Sequence, residues 1–194
     1  MSIDSRTPTQ LQVRTIILAL CLLPCMTRQA AVQPAGHEES PAAWAKIQSV
    51  LQHPRCLNCH QAESPLQGES RRAHIPHVIR GSENHGVSAM KCGTCHNEMG
   101  NNPTSGTPGA PRWQLAPISM LWQGLSGGDL CRSLKDPAKN GNRSLEDITT
   151  HLRTDKLVLW GWNPGPGREA VSLVHDEFMK QVCLWADGGA ACPK

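Results

Sequence analysis

PRCLNCHQAE, residues 54–63, and AMKCGTCHNEMG, residues 89–100, each contain Cys-x-x-Cys-His: Cys56, Cys59 and His60 in the first, Cys92, Cys95 and His96 in the second. Two thiols spaced in this way can each add to one vinyl group of a haem, and the histidine that follows supplies the proximal nitrogen to the iron. With nine Cys and nine His in 194 residues, one chance match has a probability of about 2%, and two matches roughly a hundredfold less. A zinc site using Cys-x-x-Cys twice is the plainer alternative. However, Cys59 and Cys92 lie further apart than zinc-ribbon ligands do, and zinc gives no reason for a histidine directly after both pairs. The two stretches therefore predict two covalent c-type haems.

Covalent haem attachment takes place outside the cytoplasmic membrane, so an export signal is expected upstream. Arg6 and Arg14 form a weak basic start, and Ile16 to Met26 is an uncharged apolar run too short to span a bilayer but suited to a signal core. Residues 1–31 are read as a signal peptide and 32–194 as one dihaem domain, periplasmic and not integral to the membrane; a retained anchor or a lipoprotein linkage at Cys25 is the alternative. The signal carries net charge +2, so the remainder falls from +3 to +1. Four propionates and two ferric cores would bring the oxidised holoprotein near −1. Such a balance gives no footprint for nucleic acid.

One Phe, no Tyr, 17 Gly and 15 Pro make a thin apolar inventory, offset in part by six Trp. Two haems would fill the remaining core, coupling fold and cofactor thermodynamically. Ser40 and Pro41 open a helix whose apolar face is Ala43, Trp44, Ile47, Val50 and Leu51. Residues 61–91 read mainly as loop, as does the Gly/Pro/Asn-rich stretch after the second motif. GDLCRSLK is a short helix, Ser144 caps LEDITTHLR with Asp147 completing the capping box, and LVLWGWNPGPG reads as a Trp-rich strand or turn. A last helix carries Val171, Val174, Phe178, Val182 and Trp185 and closes at Gly188 and Gly189. The fold class is mainly α, short helices joined by long haem-wrapping loops.

The two motifs together with VIRG, GAPRWQLAPISMLWQG, LCRSLKDPAKNGNR, VLWGWNPGPGR and WADGGAACP resemble a group of small bacterial dihaem cytochromes c. These are labelled cytochrome subunits of isoquinoline 1-oxidoreductase-like molybdenum hydroxylases. The resemblance covers roughly residues 50–193, with a looser similarity to the dihaem small subunit of periplasmic nitrate reductase. It implies an electron-transfer subunit whose redox partner protein is a molybdenum hydroxylase.

Each iron needs a sixth ligand if it is to pass electrons without binding substrate. For the first haem the choices are His74, His77 and His85, with His74 preferred; for the second, Met120, with Met90 and His151 as alternatives, while Met99 follows His96 too closely. A His/His iron beside a His/Met iron would form a downhill pair. Cys131, Cys183 and Cys192 remain, and a Cys131–Cys192 staple with Cys183 as a buried thiol is the pairing expected. Two haems on a short linker make a relay; a dihaem enzyme of peroxidase-like or thiosulfate-oxidising type, with one open iron, is the competing class, and a haem sensor the third.

Overall fold

The computed structural model describes residues 39–194, so the signal assigned to residues 1–31 lies outside the described residues. The described chain is mainly helical, with a few two-residue strands. Helix α1 (Glu39–Leu51) buries Ala43, Trp44, Ile47, Val50 and Leu51, the face read from sequence. Ser40 is not its cap. Its hydroxyl donates to the Trp185 carbonyl at 3.3 Å and accepts from the Ala191 amide at 3.3 Å, tying the first helix to the end of the last.

That last helix, α7 (His175–Asp187), packs along α1, with the Trp44 and Trp185 ring centres 5.1 Å apart. It begins later than the periodicity implied. Val174 is the residue before the first turn and is 70% exposed, and Val171 is buried outside the helix. Between these two lie α3 (Gly127–Lys135), capped by Ser126, and α5 (Leu145–Thr154), where the Ser144 hydroxyl accepts from the Asp147 amide at 3.1 Å and the Asp147 carboxylate accepts from the Ser144 amide at 3.0 Å. Four-residue helices complete the helical set: α2 (Pro54–Leu57), α4 (Pro137–Asn140) and α6 (Lys156–Leu159).

The segment LVLWGW is helical rather than a strand. The Asp155 carboxylate accepts from the Leu157 and Val158 amides at 2.9 and 3.2 Å, which starts α6, and a 3-10 turn at Trp160–Trp162 continues it. The local cap outweighs the β preference of its Val and Trp residues. Residues 61–91 are loop apart from two small antiparallel pairs, β1 (Leu66–Gln67) with β2 (Arg72–Ala73) and β3 (Gly86–Val87) with β4 (Met90–Lys91). Among the described residues no helix is long and apolar enough to cross a membrane.

Cys131 of α3 and Cys192 of the tail form a disulfide across 61 positions, and Cys183 is free. Cys183 is half-buried rather than enclosed, with the Arg153 guanidinium 3.5 Å from its sulfur. Constraining the unfolded chain through so long a loop contributes about 2–4 kcal/mol. The double variant C131S/C192S should therefore lose about that much in urea unfolding, and a non-reduced peptide map of the native protein should join Cys131 to Cys192 while leaving Cys183 free for alkylation once unfolded.

Candidate functional site

Helix α2 carries Cys56 and leads through Cys59 to His60, while a 3-10 turn at Cys92–Thr94 leads through Cys95 to His96. All four thiols are unpaired. The two histidines are held alike. His60 Nδ1–H donates to the Met120 carbonyl at 2.9 Å and its ring stacks on Trp122, centres 3.4 Å apart and planes 11° apart. His96 Nδ1–H donates to the Pro108 carbonyl at 2.7 Å and its ring stacks on Trp113, centres 4.4 Å and planes 4° apart. A carbonyl oxygen can only accept, so the proton must sit on Nδ1, and the neutral ring keeps the lone pair on Nε2 free.

Burial keeps the rings neutral. It lowers the His60 pKa to about 4, against the Met120 carbonyl bond that raises it, with His151 and Arg80 pressing the same way as burial. His96 is lowered mainly by burial too, with His74 and Arg168 adding to it. Burial pushes the Cys56 thiol up to about 12 and the Cys59 thiol to about 11, so both are protonated near neutrality. Their surface is partly accessible because it faces a cavity rather than open solvent.

One segment serves both motifs. Residues 113–122 hold Trp113, Trp122 and the Met120 carbonyl, and are tied down where the Ala116 amide donates to the Cys59 carbonyl at 3.2 Å and the Leu115 amide to the Asn84 carbonyl at 3.0 Å. Buried Arg80 fixes the loop beside it, bonding the carbonyls of Gln61, Ala62 and Ala116 and the Asn84 side chain. Gly109, next to the Pro108 carbonyl, must be glycine because a Cβ there would strike the backbone of Asn97 and Gly100. The sequence reading did not single out Trp113, Trp122 or Arg80. The available signal was a pair of tryptophans in a Pro-containing loop, since an indole outside a helix must still find a surface to cover.

Two cavities open on the motifs. One, of about 490 Å³, is lined by Cys92, Cys95, His96, His74 and Trp113; the other, of about 230 Å³, by Cys56, Cys59, His60, Met120, Trp122 and His151. They adjoin, sharing Arg55, Cys59, Trp113, Leu115 and Trp160 as wall. The sequence pairing is thus reversed in space: His74 lies with the second motif and Met120 with the first. The hairpin of β1 and β2 swings His74 across to His96, ring centres 5.9 Å apart, and the Met120 carbonyl is claimed by His60. His77 bonds Ser64 at 3.2 Å and lines neither cavity, and His85 is exposed and also lies outside both; Met90 lines the first cavity.

Each cavity therefore combines the two free thiols of its own motif, an imidazole with a free Nε2, flat aromatic surface and cationic side chains, with Cys59 reaching both: Arg72 and Arg168 line the larger, Arg143 the smaller, Arg55 both. The buried Trp122 indole N–H has no hydrogen-bond partner among the described residues, leaving a donor for an acceptor on a bound group. This donor set fits a flat, thiol-linked, imidazole-ligated ring with acidic substituents. Among the described residues no group of three or more His, Cys, Asp or Glu is placed to hold a metal ion. Comparison of the chain with protein-family models, curated proteins and solved structures returns no match.

Arg55 in the shared wall is buried, and its guanidinium lies 5.6 Å from the Trp160 ring centre, donates through Nε to the Glu169 carbonyl at 2.7 Å and pairs with Glu69. The Glu69 side chain is 42% exposed, which screens its share of the pair. Glu69→Ala should still cost about 1–3 kcal/mol in denaturant unfolding, because it strands a buried cation.

Proposed function

We propose that this chain is a periplasmic electron-transfer protein carrying two covalent c-type haems, one on Cys56, Cys59 and His60 and one on Cys92, Cys95 and His96. The observation that carries this reading is the repeated site: each Cys-x-x-Cys-His histidine has Nδ1 fixed on a backbone carbonyl and lines a cavity with its own cysteines, and the two cavities share a wall. When bound, the haems would supply one-electron oxidation and reduction. The residues of the chain do the rest. Met120 and Pro108 carbonyls orient the proximal rings and raise their basicity, as a second shell does for ligating histidines. Trp113 and Trp122 fix the ring planes. Arg55, Arg72 and Arg168 in the larger cavity and Arg55 and Arg143 in the smaller would offer cationic partners for the acidic substituents of a bound ring.

For the iron at His96 we assign His74 as sixth ligand. The His74 and His96 rings stand with their centres 5.9 Å apart and line one cavity, so both imidazoles would be available to hold the same group. His74 Nδ1–H donates to the Pro76 carbonyl at 2.8 Å, which leaves its Nε2 free in the same way. With both His74 and His96 holding the group, no place would be left for a small molecule, which favours a relay over the peroxidase-like alternative. The Cys131–Cys192 disulfide supports an oxidising compartment. The partner, on the resemblance, is an oxidoreductase of the molybdenum hydroxylase class.

The test is cofactor content. The mature protein should give a c-type pyridine haemochrome of two haems per chain, and the C92A/C95A variant should give one. Zinc bound in place of haem in the purified protein would overturn the reading.

A further inference from the structure

We infer that His151 is the sixth ligand of the iron at His60, so that both irons carry two imidazoles and none carries a thioether. The inference rests on the two-haem reading above and names the remaining ligand of the same site. Among the described residues only four histidines line the two cavities: His74 with His96, and His60 with His151. In three of them Nδ1 is committed to a backbone carbonyl. His151 has a carboxylate on the same side, its Nδ1 lying 3.7 Å from Asp155 Oδ2, beyond direct hydrogen-bond distance but close enough for the charge to face that nitrogen. Carboxylates and carbonyls are the usual outer partners of ligating imidazoles, and they leave Nε2 for the metal.

Position supports the role. On α5, Ile148, His151 and Leu152 fall on one helical stripe, and all three line the cavity of the first motif. Asp155, one turn on, is held in place by Arg112 Nη2 at 2.7 Å and by the amides of Leu157 and Val158, so the group behind His151 is fixed rather than free to swing. His53, His77 and His175 spend a ring nitrogen elsewhere, on the Arg55 amide, the Ser64 hydroxyl and the Leu152 carbonyl, and none of them lines a cavity.

Met120 lines the same cavity and is the competing ligand. Its own carbonyl accepts from Nδ1 of His60, the end of the ring directed away from Nε2. The Met120 backbone is thereby placed on the proximal side, and its thioether would have to pass around the ring edge to reach the opposite face. Met120 acts instead through its backbone, and its side chain packs against the apolar core.

The experiment uses the mature holoprotein, with haem counted in every preparation. Fewer than two haems in the wild type would remove the cofactor reading and this inference with it; with two haems present, the ligand question is tested by itself. The wild-type ferric spectrum should be wholly low-spin, with no thioether charge-transfer band at the red end of the visible. His151→Ala should convert half of the haem to high-spin, bind about one carbon monoxide per chain after reduction, and return to low-spin on adding imidazole. Met120→Leu should keep both irons low-spin. His151→Met, which can restore six-coordination, should introduce the thioether band and raise one of the two potentials. A thioether band in the wild type, or a Met120→Leu protein with an open iron beside a His151→Ala protein with none, would overturn the assignment. If His151→Ala fails to mature, the wild-type band and the His151→Met spectrum still decide.

Discussion

A backbone carbonyl that can only accept a hydrogen bond governs this molecule. By taking the Nδ1 proton of His60 and of His96, the Met120 and Pro108 carbonyls fix tautomer, ring plane and free nitrogen at once. To deliver those two carbonyls the chain must return past both motifs, and residues 108–122 do so with little regular structure. That path is possible because Gly109 admits close backbone approach and Arg80 collects the carbonyls of three neighbouring residues. The tryptophans of the same segment then cover the faces of the rings it has oriented. Little regular structure here leaves carbonyls free for side chains, and Met120, whose carbonyl serves His60, ends a 3-10 turn at Ile118–Met120, where a carbonyl has no partner within the turn.

The helices form a separate frame. Trp44, Ile47, Val50, Phe178, Val182 and Trp185 make an apolar contact between α1 and α7, α3 joins it through Cys131, and α5 closes the cavity of the first motif with Ile148 and Leu152. Division of labour follows from composition. A chain this poor in Phe and Tyr concentrates its apolar residues in one helical cluster and leaves the middle third to be organised by polar anchoring and cavity walls.

Local signals were legible in the sequence. The face of α1, the capping box at Ser144 and Asp147, and both cysteine pairs are written within a few residues, so spacing alone reveals them. The capped turn at Asp155 was equally local but was hidden by a Trp- and Val-rich run that suggests strand. The allocation of His74 and Met120 to cavities was not legible. It depends on a two-residue hairpin and on a loop that crosses from one motif to the other, and separation along the chain carries no information about which side of a loop a residue will face. Val174 fits the helical period yet lies before the first turn, because periodicity does not mark where a helix begins.

The pairing of α1 with α7 also sets an order of events. Residues 39–51 are made well before their main partner, residues 175–187. Since chains emerge from the N-terminus and contacts so distant in sequence close slowly, the frame cannot assemble until α7 is available. Both cysteine pairs precede that moment, as do both halves of the segment that later covers them. The middle of the chain, with the four thiols of its two motifs unpaired, is therefore made before the contact between α1 and α7 can form, and the Cys131–Cys192 disulfide, whose second cysteine lies beyond α7, cannot close until after it.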